Sequence, residues 1–171
     1  KKVIAILNRK TGYRFYEAVD HFEAQSAKDA LVETSGALKT VAVSLIKITN
    51  DIRWLGSGPR CGIGEIHLQD TQPGSSIMPG KVNPVMAECL DMIAFQVVGN
   101  DMVLSLAVQA GQLDLNVMTP VMMHNILQSI QILTNYLPVF VKKCVEGITV
   151  NKKRCASYVE KNPSLAVFLS P

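Results

Sequence analysis

Between Gly74 and Pro84 the sequence reads GSSIMPGKVNP, which gathers two hydroxyls (Ser75 and Ser76), the Lys81 ammonium and the Asn83 carboxamide in one short run. Glycines at 74 and 80 permit dihedrals that other residues avoid and let backbone N–H groups face a ligand. Pro79 and Pro84 stiffen the run, and Pro84 is suited to open a following helix. An anion such as a carboxylate could meet Lys81, the Asn83 amide, loop N–H groups and a helix N-terminus together. On residue types alone, a plain tight turn accounts for the same glycines and prolines. Both readings stand at this point.

The elements around this run are helical in pattern. From about Glu23 to Leu55, apolar and small residues recur at three- and four-residue steps (Ala24, Ala27, Leu31, Leu38, Val41, Leu45, Ile48, Ile52) with no proline, which predicts one long helix. Gly56-Ser57-Gly58-Pro59 stops it, and residues 56–84 form an extended irregular loop of a length that is usually functional. A second helix is expected over about Val85–Ala110. A third begins near Asp114 or Thr119, with Pro120 in its first turn, and runs to about Cys144; Pro138 should kink or bound it. A last short helix spans roughly Asn151–Lys161, ahead of Pro163. Strand signals are nearly absent, so the fold class is all-α, a bundle of long helices. The 85–110 helix is apolar around most of its circumference, which implies burial on several sides, and in so short a chain by other subunits. Gly99 and Ala110 fit close helix approach.

Composition narrows the function class. Hydrophobic residues make up 48% and charged residues 18%, a globular balance, with length for one core. The net charge of +3 is too small and too dispersed to argue for nucleic acid. The basic and apolar start runs into Asn8-Arg9-Lys10 without a cleavage site, so no signal peptide is expected, and no stretch reads as an uninterrupted membrane span. Cys61, Cys89, Cys144 and Cys155 form no CxxC pair and lack zinc spacing; they read as reduced thiols in a cytosol-like compartment, and no metal site is expected.

The run GSSIMPGKVNP resembles the signature loop of the fumarase/aspartase superfamily without a mismatch. His21-Phe22-Glu23-Ala24, SGALKTVAVSL from Ser35, NDIRWLGSGPRCGIGEI from Asn50, Gly99-Asn100-Asp101, GQLDLNVM from Gly111 and CVEGI from Cys144 extend the resemblance over essentially the whole chain, closest to class II fumarase. The resemblance implies that residues 1–171 are the central helical domain, with an N-terminal part and a small C-terminal domain outside it. It implies a homotetramer whose active sites are shared between subunits. It further implies a cofactor-free lyase that reversibly hydrates fumarate to malate by anti addition and elimination, in the cytoplasm or, in a eukaryote, the mitochondrial matrix. Ser75 takes the place of the catalytic base, Glu88 that of the glutamate partnering the catalytic histidine, and Ser76, Lys81, Val82 and Asn83 align with substrate-binding positions. That histidine lies outside this sequence, and His67 does not match its place. PVMAE and the AGQL run also resemble aspartases, so aspartate ammonia-lyase is an alternative. A third reading is a helical oligomerisation core without catalysis of its own. A serine is a poor base near neutral pH, so Ser75 would need its alkoxide stabilised by N–H groups or cations. Asn116 could line the site, and Met118, Met122 and Met123 read as core filling.

Overall fold

The computed structural model describes residues 1–169; Ser170 and Pro171, at the end of the expected domain, lie outside the described residues. Helices α1 (Lys2–Thr11), α2 (His21–Ser26), α3 (Asp29–Leu55), α4 (Val85–Gln109), α5 (Thr119–Lys143) and α6 (Lys152–Glu160) carry the fold. Two short strands, β1 (Ile66–His67) and β2 (Thr149–Val150), pair antiparallel, Ile66 with Val150 and His67 with Thr149. The all-α expectation therefore holds, with this small ribbon added. α3, α4 and α5 pack on one another as the body of the molecule.

The expected helix from Glu23 breaks at Ala27, whose ψ of 141° is extended. The cause is tertiary. The Gln25 carbonyl accepts the N–H of Asn116, and the Lys28 ammonium donates to the carbonyls of Ala24 and Gln25, so the end of α2 is capped from outside the helix. At the other end, Asp20 accepts the N–H groups of Phe22 and Glu23 and starts α2. Pro138 does not bound α5, which continues to Lys143; buried Leu133 and Phe140 on either side hold it to its neighbours.

The core forms three layers along α3, α4 and α5. The layer nearest the 56–84 loop is Ala87, Leu90, Phe140 and Cys144, with Leu68 of the loop packed on it. The middle layer is Ala42, Ala94, Val97 and Leu133, and the far one Leu104, Ala107, Met122 and Ile126. Each large side chain fully buried here stabilises by about 1.5–3 kcal/mol, so the loop rests on a firm base.

α4 corrects one expectation: by length and composition it is apolar enough to cross a bilayer. Its inner face is nevertheless buried against α3 and α5 and includes Asp91, Asn100 and Asp101, all with protein partners, as in a core helix. Its outer face bears Met92, Phe95, Met102 and Leu106, each more than half exposed, at helical spacing with Gly99 among them. A Cβ at Gly99 would meet open space, so the close approach expected there is not made within one chain. Asn116 is a helix cap: buried, it donates to the carbonyls of Ala107 and Val108 and accepts from the Met118 N–H. Of the three expected core methionines, Met122 is inaccessible while Met118 and Met123 are part exposed.

Candidate functional site

The loop leading to the serines is tied down from several directions. Arg154 of α6 donates to the carbonyls of Ile63 and Gly62, the Glu65 N–H reaches the Leu55 carbonyl, and the Asn151 N–H reaches that of Glu65. At the neck of the 74–84 run, the Gly74 N–H donates to the Lys81 carbonyl at 2.7 Å, and the Asn83 amide lies 3.5 Å from the Gly74 carbonyl. A Cβ at Gly74 would sit 2.8 Å from the Lys81 carbonyl oxygen, so glycine is required for this closure. Gly80, at φ 76°, makes the turn before Lys81.

This closure shapes a nest around Ser75. Its Oγ accepts the N–H groups of Ile77 and Met78, both at 3.2 Å. Two donors converging on one hydroxyl oxygen are what an alkoxide needs, since they stabilise negative charge on it without reorganisation. Ser75, Lys81 and Val82 line a cavity of about 470 Å³, with Asp70 and Met78 on its rim. Lys81 and Val82 also face a second cavity of about 920 Å³, walled further by Asn83, Arg53 and His67. The Lys81 ammonium and the Val82 N–H have no partner among the described residues, so both are free to meet an anion.

The structure therefore brings together Ser75, Lys81, Val82 and Asn83. Ser76 is exposed and lines neither cavity. Glu88, in the first turn of α4, also lies outside both linings, and its nearest cation is Arg53 at 3.8 Å. His67, which does not match the place of the family's histidine, is exposed on β1 at the wall of the larger cavity. His21 and His124 are both exposed. Among the described residues no three His, Cys, Asp or Glu side chains gather as metal ligands.

Sequence reasoning missed the polar cluster behind the loop. Arg53 donates to Asp91 at 3.1 Å and to Asn50 at 3.2 Å, while Asp91 also accepts from the Thr49 hydroxyl. The available signal was the spacing of Glu88 and Asp91, which puts two carboxylates on one face of α4. Burial pushes the Cys144 thiol, and more strongly the Tyr136 hydroxyl, above their ordinary values, so both remain neutral packing groups beneath the site.

A family model described as lyase matches residues 1–99. The chain belongs to the lyase family. This lyase-family chain is 48% identical over 170 residues to the class II fumarate hydratase of Thermosynechococcus vestitus, covering 99% of the chain and 36% of that relative. It is 49% identical to the mitochondrial fumarate hydratase of Rhizopus oryzae, covering 99% of the chain and 34% of the relative. A fumarate lyase:delta crystallin structure from Brucella melitensis superposes with a TM-score of 0.93 at 43% identity, over 98% of this chain and 39% of that one. The lyase-family chain thus spans about a third of the length of the curated relatives it matches.

Proposed function

We propose that the complete protein is a fumarate hydratase that uses Ser75 as its base. The observation that carries this reading is the Ser75 Oγ held by two converging backbone N–H groups at the edge of a cavity shared with Lys81. In the dehydration direction, ionised Ser75 takes a proton from the malate carbon next to a carboxylate. The electron pair left behind spreads into that carboxylate, where Lys81, Asn83 and the Val82 N–H stabilise it as charge develops. The hydroxyl on the neighbouring carbon then leaves as water, protonated from the opposite face by an acid supplied elsewhere in the assembly and partnered by Glu88. Hydration runs the same steps in reverse. Ser76 completes binding of the dicarboxylate.

The site is shared between copies of the chain in this reading. The exposed stripe of Met92, Phe95, Met102 and Leu106 on α4 supports a larger bundle, a homotetramer, in which Gly99 admits a neighbouring helix. Residues 1–171 are its central domain and are inactive alone, since a base without its acid cannot complete the reaction. The relatives include a bacterial and a mitochondrial fumarate hydratase, which supports a cytoplasmic or mitochondrial location.

The test is fumarate consumption by the full-length protein, with and without ammonium. Loss of fumarate in water alone, with malate formed, is expected. Loss that requires ammonium would make the protein an aspartate ammonia-lyase, and no loss under either condition would leave a helical oligomerisation core.

A further inference from the structure

We propose that Arg53 is a positioning residue for Glu88, locked into its orientation by the buried carboxylate of Asp91. The proposal rests on the reading of Glu88 as partner of the acid-side histidine. Arg53 stands in the last turn of α3, and Glu88 and Asp91 stand three residues apart on one face of α4. One guanidinium nitrogen is anchored, Nη1 donating to Asp91 Oδ2 at 3.1 Å and to Asn50 Oδ1 at 3.2 Å. The other, Nη2, lies 3.8 Å from Glu88 Oε1.

The anchor is rigid. Asp91 is 4% exposed, and its second oxygen accepts from Thr49, which is fully inaccessible. A buried carboxylate must have its charge paired and its lone pairs met, so Asp91 keeps both partners in place. The far side of the guanidinium is different: Arg53 is 39% exposed and forms part of the wall of the larger cavity beside Lys81 and Asn83. A planar guanidinium fixed at one nitrogen has its other nitrogen fixed too. Glu88 therefore feels a cation at a set distance and bearing. At 3.8 Å the contact is too long to be a hydrogen bond, so the carboxylate oxygens remain available to accept one from an imidazole. The arrangement orients and charge-balances Glu88 without occupying it, the role that outer partners play for directly acting groups elsewhere.

The experiment uses the assembled full-length enzyme and a double-mutant cycle between Arg53→Gln and Glu88→Gln. Arg53→Gln should lower kcat by about 10- to 100-fold, with KM for fumarate nearly unchanged. Arg53→Lys, which keeps the charge, should recover part of the loss, and Thr49→Val, which loosens the anchor, should show a smaller loss of the same kind. In the Glu88→Gln background, Arg53→Gln should cost little more, because its target is gone. A full additional loss in that background, or a change in KM alone, would overturn the positioning role while leaving Glu88 in place. Unchanged kcat in Glu88→Gln itself would remove the reading of Glu88 and this proposal with it. Thermal unfolding of each variant separates collapse of the fold from loss of positioning, and Arg53→Lys keeps the comparison open if Arg53→Gln does not fold.

Discussion

At the serine loop, the Ser76 hydroxyl, the Lys81 ammonium and the Val82 N–H have no intramolecular partner among the described residues, and the Ser75 hydroxyl is met only by backbone donors. On α4, Asp91 and Asp101 are nearly inaccessible, and every carboxylate oxygen is taken: Asp91 by Thr49 and Arg53, Asp101 by Ser35 and Lys39. The contrast follows from solvation. An exposed polar group without a protein partner costs little, because water meets it, whereas a buried one carries the full desolvation penalty. No buried side-chain nitrogen or oxygen among the described residues lacks a hydrogen bond. Among the described residues, pairing of polar groups therefore follows burial. Arg53 belongs to both regions, anchored in the second and facing the first.

The contrast is broken most severely at Ser75. Ser75→Ala in the full-length enzyme should lower turnover by about 10²–10⁴-fold with little change in unfolding temperature; retention of most activity would remove the serine from the mechanism. Gly74→Ala places a methyl against the Lys81 carbonyl and opens the neck, shifting Ser75 and Lys81 apart. About a 10²-fold loss of kcat is expected from such a displacement, again with a nearly unchanged melt. A large loss of stability would instead show that the loop is part of the scaffold.

The bundle should answer in the opposite way. Asp101→Ala strands the Ser35 hydroxyl while the part-exposed Lys39 ammonium turns to water. A loss of about 1–3 kcal/mol of stability is expected, read by denaturant unfolding, with KM for fumarate unmoved. The smallest effect concerns Cys144. Its folded value stands above the ordinary 9.0, so its contribution is whole below that pH and fades as pH rises toward the folded value. The wild type should lose stability more steeply above about pH 9 than Cys144→Ala does, by less than about 1.4 kcal/mol per pH unit. Parallel curves would show that the thiol does not sense its burial.

Much of this was legible from residues alone. The periodicities of α4 and α5 predicted their extents to within a few residues, and that of α3 its end at Leu55, since long helices repeat their signal many times. The run 74–84 was legible because its glycines, prolines and polar side chains are close in sequence and act locally. The break at Ala27 was not, because the groups capping α2 include the N–H of Asn116, far along the chain. The end of α5 near Cys144 was legible, while Pro138 left open whether it would bound the helix; packing by Leu133 and Phe140 on either side outweighs its local penalty. The cluster of Arg53, Thr49 and Asp91 joins residues about forty positions apart, and no local pattern announces such a pairing.

By itself the sequence determined where α4, α5 and the C-terminal part of α3 run and which residues form the serine loop, because these depend on neighbours along the chain. Tertiary structure alone decided which polar groups are consumed and which stay free. That difference depends on burial, and burial is known only once α3, α4 and α5 have met: it turns Asp91 into an anchor, leaves Lys81 open to an anion, and aims Arg53 from the one toward the other.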